Sequence, residues 1–178
     1  FKRAQQALRS LEEYGKLLDD NFAAQIEALR YSAYTLDKSF HTHVDSGARL
    51  ADTRLMVLVD GGAGEAEFVK LATTLVAAGV DAIQLREKNL PDRELLNRAR
   101  RLTEIARSGQ TLSIINDRPD IAALAGADGV HLGQDDMRPG DARRIVGPRM
   151  LIGLSTHSLD DVHAAVEQGA NYLGAGPT

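Results

Sequence analysis

Apolar positions in the first forty residues recur at steps of three and four. Ala4, Leu8, Leu11, Tyr14 and Leu18 mark one helical face, and Phe22, Ile26, Leu29 and Ala33 mark another. Between them Asp19, Asp20 and Asn21 break the first run and offer side-chain oxygens to cap the second helix. Two amphipathic helices cannot bury both stripes alone, so they are expected to pack on each other and on a partner. From His41 to Thr53 the period dissolves into mostly polar residues around Ser46 and Gly47, which predicts a linker over 41–53 between a helical module, 1–40, and the rest of the chain, 54–178.

From Arg54 the rhythm changes. Short continuous apolar runs, Leu55–Val59, Ala82–Leu85, Leu112–Ile115, Gly129–Leu132, Leu151–Leu154 and Tyr172–Ala175, alternate with helical patterns such as Glu65–Ala78 and Asp92–Arg107. Strands that are apolar throughout and separated by helices predict a parallel α/β sheet covered on both faces. Each run ends in polar or glycine-rich chemistry, which is how a (β/α)8 TIM barrel gathers function at the C-terminal ends of its strands; a doubly wound sheet would do the same at a switch point. Six strands are two short of closure. About a quarter of a barrel is therefore expected to lie outside this sequence, and the open edges should be unstable or associate, making a homo-oligomer an expectation.

Composition narrows the classes. There is no Cys, so disulfides, thiolate metal sites and a Cys nucleophile are excluded. A net charge of -4 leaves no electrostatic footprint for nucleic acid. No apolar run approaches a membrane span and the first residues do not form a signal peptide, so a cytoplasmic protein is expected. The chain opens at Phe1 and reads as a fragment.

Three places carry candidate chemistry. Gln84, Arg86 and Lys88 alternate along one strand end and share a face, with Leu85 and Glu87 on the other; an amide, a guanidinium and an ammonium together suit a diphosphate. Ordinary surface salt bridges would explain the same residues. Asn116 and Asp117 close the third run, and Asp135 and Asp136 follow the fourth; carboxylates from neighbouring strand ends can share Mg²⁺, or can cap the next helices. Arg118 reads as a brace. Ser155, Thr156 and His157 follow the fifth run, where hydroxyls can meet phosphate oxygens, unless Ser155 or Ser158 is a helix cap. His131 reads as a satisfied interior residue, and His41 and His43 as solvated linker residues.

The order of the motifs is more specific than any one of them. Gln-Leu-Arg-Glu-Lys, Ile-Asn-Asp-Arg, Ala-Asp-Gly-Val-His-Leu-Gly-Gln-Asp-Asp, Ile-Gly-Leu-Ser-Thr-His and Tyr-Leu-Gly-Ala-Gly-Pro-Thr follow one another from about Arg54 to Thr178. This series resembles the thiamine phosphate synthases. The resemblance implies a (β/α)8 barrel that joins a hydroxymethylpyrimidine diphosphate to a thiazole phosphate and releases diphosphate. It implies that Gln84, Arg86, Lys88 and Asn116 bind the pyrimidine diphosphate within a stretch that takes in Leu85 and Glu87. Asp117 and Asp136 would bind Mg²⁺, and Ser155 would contact the pyrimidine. The implied mechanism is dissociative: Mg²⁺, Arg86 and Lys88 neutralise departing diphosphate, and the thiazole nitrogen captures a pyrimidine-methyl cation. The Thr- and Lys-bearing loop that follows Gly-Pro in this family is not reached by Thr178, so the thiazole phosphate site is expected to be incomplete here.

The first forty residues resemble the helical module fused ahead of some bacterial synthases and linked with hydroxymethylpyrimidine phosphate kinase activity, which implies a bifunctional protein. A docking or dimerisation module is the plainer alternative, since no P-loop glycines occur there. Two other readings compete for the whole chain. One is a thiazole tautomerase-like barrel using His157 as acid and base; the other is a non-catalytic helical interaction protein with a truncated barrel.

Overall fold

The computed structural model describes residues 2–176, and for residues 38–45 the backbone alone. His41 and His43 as side chains, together with Pro177 and Thr178, fall outside the described residues. The chain divides into two units, Phe1–Asp45 and Ser46–Thr178.

In the first unit, α1 (Lys2–Gly15) and the start of α2 (Asp20–Leu50) form an antiparallel hairpin. Its direction follows from two cross-helix bonds whose residue numbers rise on one helix as they fall on the other. Gln5 Nε2 donates to Asp37 at 3.2 Å, and Arg30 Nε donates to Glu12 at 2.7 Å. Asp19 Oδ1 accepts from the backbone N–H of Asn21 and Phe22, capping α2 as the break in the pattern predicts. The packing differs from the expected stripe. Gln5 and Glu12 are buried, whereas Leu11, Tyr14 and Leu18 are exposed, Leu18 by 86 %. The Glu12–Arg30 ion pair shares the inner face with Ala23 and Ile26 of α2, and the apolar stripe of α1 looks mostly outward. The expected linker is also corrected: the backbone of α2 continues through 41–50, where no Pro stops a helix.

The second unit is a run of βα units. Strands β1 (Met56–Val59), β2 (Ala82–Leu85), β3 (Leu112–Asn116), β4 (Gly129–Leu132), β5 (Leu151–Thr156) and β6 (Tyr172–Ala175) are all parallel and stand in sequence order. Helices α3 (Glu65–Ala77), α4 (Asp92–Ser108), α5 (Pro119–Ala125), α6 (Pro139–Val146) and α7 (Leu159–Glu167) join them. A doubly wound sheet reverses its strand order; this one never does, so it is six units of a (β/α) barrel.

The pleat sorts residues by face. Val59, Ile83, Leu85, Ile115, Val130, Leu132, Ile152 and Leu154 pack with Phe68, Ala72, Leu95, Leu102 and Ile121 of the helices in one core. The alternate positions, Gln84, Ile114, Asn116, His131, Gly153 and Ser155, fall on the opposite, barrel-interior face. A sequence repeat locks the other end of the sheet. Gly79-Val-Asp81, Gly126-Ala-Asp128 and Gly169-Ala-Asn171 each put a glycine at positive φ (81°, 64° and 77°) after a helix. The following Asp or Asn accepts from the first N–H groups of the preceding strand: Leu55 N to Asp81 at 2.9 Å, Ser113 N to Asp128 at 3.0 Å, and Ile152 N to Asn171 at 2.8 Å. These bonds satisfy strand-start donors that have no ladder partner.

Candidate active site

At the C-terminal ends of β2, β3 and β4 the chain collects opposite charges. Lys88 Nζ lies 3.8 Å from Asp117 Oδ2. Asp136 stands near enough to Asp117 to act on its carboxyl, as do the charges of Lys88 and Arg86. Burial, followed by the influence of the neighbouring Asp136 carboxyl, holds the Asp117 carboxyl above the ordinary carboxylate range. A cation beside such a pair would offset their repulsion.

Backbone geometry builds this pair. Asp117 has φ of 62°, the left-handed region that Asp tolerates better than most residues but still occupies at a cost of order 1 kcal/mol. Its N–H donates to the His131 carbonyl at 2.8 Å, so strand pairing fixes the residue while its conformation turns the chain off the strand. Asp136 curls back over the loop after β4, its Oδ2 accepting from Gly133 N at 2.6 Å. Neither aspartate caps a helix: the residues before α5 and α6 are Arg118 and Arg138. Arg118 is a brace, paired with Asp92 and Asp120 at 2.7 Å each.

Other expected site residues separate. Gln84 is buried one layer deeper on the interior face and donates to Met56 Sδ at 3.6 Å. Asn116 is half-buried at the end of β3, in register with His131. Leu85 is 1 % exposed in the helix-facing core, and Glu87 serves the backbone, accepting from Gly61 N at 3.0 Å and Asn89 N at 2.7 Å. These bonds hold the Glu87 carboxyl below the ordinary range. Of the stretch Gln84–Lys88, Arg86 and Lys88 are exposed beyond the end of β2, while Leu85 is in the core and Glu87 bonds the backbone.

Ser155 belongs to β5 and is not a cap; Ser158 caps α7 in a capping box with Asp161. Ser155 Oγ stands 3.0 Å from His131 Nε2, and Tyr172 Oη stands 3.2 Å from His131 Nδ1. Gln134 Nε2 donates to the Ser155 carbonyl. Burial lowers the His131 pKa and raises that of the Tyr172 phenol. Sequence pattern alone does not mark Tyr172 or Gln134 as neighbours of Ser155, whereas His131 shares strand parity with Gly133 and the loop beyond.

Among the described residues no group of three or more His, Cys, Asp or Glu side chains could hold a metal. A two-carboxylate site suits Mg²⁺, which takes one or two protein carboxylates and completes its shell with water and phosphate oxygens. Asp117 and Asp136, mutually repelling beside two cations, fit that ion as donors.

Six parallel strands in sequence order, joined by helices, define a class, the (β/α)-barrel domains. Sequence comparison then fixes the family: residues 55–178 match the family model described as Thiamine monophosphate synthase, and the chain belongs to that family. Residues 1–39 match the ThiD2 family. Thiamine-phosphate synthases from Rhodopirellula baltica and Gloeobacter violaceus are 45 % and 44 % identical, each aligned over 99 % of this chain and over 48 % and 51 % of their own lengths. The chain spans about half the length of the curated relatives it matches. Among solved structures, thiamine phosphate pyrophosphorylase from Pyrococcus furiosus superposes with a TM-score of 0.63 at 36 % identity, covering 71 % of this chain and 62 % of that one. A tryptophan synthase complex from Pyrococcus furiosus, at TM-score 0.50 and 16 % identity over 76 % and 60 %, shares the fold alone.

Proposed function

We propose that the protein to which this chain belongs is a thiamine phosphate synthase, and that this chain supplies the half of its site that binds the pyrimidine diphosphate. The observation that carries the proposal is the cluster of Arg86, Lys88, Asp117 and Asp136 at adjoining strand ends. Lys88 and Arg86 are assigned to the diphosphate oxygens, where they hold charge as it develops on the leaving group. Asn116 is assigned to the same ligand, and Ser155 to the pyrimidine. Asp117 and Asp136 would hold Mg²⁺, which when bound supplies positive charge to the departing diphosphate. The surrounding chain contributes alignment: strands fix Arg86, Asn116 and Ser155 relative to one another before the ligand arrives. The cation-and-carboxylate set favours this reading over a tautomerase, which has no diphosphate to neutralise.

For the helical unit, the ThiD2 match over residues 1–39 supports a bifunctional reading, in which a kinase step supplies the diphosphate that the barrel consumes. The test for the synthase is formation of thiamine phosphate by the full-length protein from pyrimidine diphosphate, thiazole phosphate and Mg²⁺. Formation is expected for the wild type and lost in Lys88→Ala. ATP-dependent conversion of the pyrimidine monophosphate by the same protein tests the kinase.

A further inference from the structure

A second network on the barrel-interior face runs from Tyr172 through His131 to Ser155, with contacts of 3.2 Å and 3.0 Å on the two ring nitrogens. Glycines make room for it. A Cβ at Gly153 would lie 2.6 Å from His131 Nδ1 and would also collide with the Tyr172 ring, and one at Gly174 would lie 3.0 Å from His131 Cε1. The tyrosine and histidine rings stand 5.5 Å apart, centroid to centroid.

Proton counting favours one direction for these bonds. A phenol O–H is a strong donor, and His131 Nδ1 is the acceptor that the described residues offer to Tyr172 Oη. A phenol donor left without an acceptor carries a desolvation penalty. With Nδ1 accepting, the ring proton of neutral His131 must sit on Nε2 and point at Ser155 Oγ. The serine then accepts from the histidine, and its own O–H is free to donate into the site.

We propose that Tyr172 and His131 are positioning residues that fix Ser155 as a hydrogen-bond donor to the bound pyrimidine substrate. The role assigned to the donor rests on the synthase reading above; the direction of the bonds does not. Tyr172 acts only through the histidine tautomer, so its removal frees the ring to reverse and lets Ser155 spend its proton on Nε2 instead of on ligand.

Two measurements on the full-length protein test this. Nitrogen NMR of ¹⁵N-histidine-labelled protein should show His131 protonated on Nε2, with the Nδ1–H form appearing in Tyr172→Phe. An Nδ1–H tautomer in the wild type would overturn the proposal. In steady-state kinetics, Tyr172→Phe should lower kcat/KM for the pyrimidine diphosphate by about tenfold, the scale of one hydrogen bond. In a Ser155→Ala background the same change should cost less than about twofold, because the two side chains act as a unit. His131→Gln, which can keep an N–H near the Nε2 position, should retain more activity than His131→Leu. Equal losses for Tyr172→Phe in both backgrounds would mean a merely structural tyrosine and overturn the proposal. Absence of synthase turnover in the wild type would remove the proposed function while leaving the tautomer result standing.

Discussion

Asp117 concentrates the tension of the site in one residue: a left-handed backbone, a carboxyl held protonated more readily than usual, and a second carboxyl against it. A carboxyl whose pKa is raised by folding binds its proton more tightly in the folded chain. Its contribution to stability is therefore full below the unfolded pKa and falls as pH rises through the higher folded value. Asp136→Asn relieves the repulsion. It should raise the metal-free melting temperature at neutral pH, by an amount equivalent to about 0.5 kcal/mol for a solvent-screened pair, and flatten the decline above the carboxylate range. The same variant should lose the stabilisation that Mg²⁺ with diphosphate gives the wild type; an unchanged response would remove Asp136 from the site. At this scale the site was half legible. Alternation along a strand named Arg86 and Lys88, and motif order named Asp117 and Asp136. The helix-facing fate of Leu85, the loop-bracing fate of Glu87 and the bond from Tyr172 to His131 depend on neighbours brought together by the sheet, 26 and 41 residues distant in sequence for the last two.

Elements are held in register by side chains at the strand starts. Asp128 accepts from both the N–H and the hydroxyl of Ser113, at 3.0 and 2.9 Å, and pairs with Arg49 at 2.7 Å. Asp128→Ala should cost about 1–3 kcal/mol in chemical denaturation, since it leaves a buried donor unmade. Asp81, whose carboxyl is lowered first by the N–H of Arg54 and then by that of Leu55, follows the opposite pH rule to Asp117. Its stabilisation is present above the unfolded pKa and is lost as pH falls through the folded one. Acid denaturation of Asp81→Asn should lack that component. In the helix-facing core, Leu102→Ala should cost about 2–5 kcal/mol, because the residue is fully buried among packed helices and strands. Strand order was legible because each apolar run is short and each is followed by a helical pattern. The end of α2 was not, because a polar helix and a polar linker can have the same composition; the backbone continues to Leu50 where the periodic signal has stopped.

For the molecule as a whole, the barrel segment and the helical unit carry different family signatures, residues 55–178 and 1–39. No helix among the described residues is long and apolar enough to cross a membrane. The helical hairpin leaves Tyr14, Leu17 and Leu18 largely exposed. The barrel segment carries Arg86, Lys88, Asp117 and Asp136, the cations and carboxylates proposed to serve one diphosphate. The most direct measurement is the rate of thiamine phosphate formation by the full-length protein with Mg²⁺, comparing wild type with Asp117→Asn and Lys88→Ala at saturating substrates. Losses of at least about a hundredfold in both variants, the scale of removing a group that stabilises developing charge, are expected. Folded variants that turn over within about twofold of the wild type would contradict the account, since a group that holds the leaving charge cannot be removed at so small a cost.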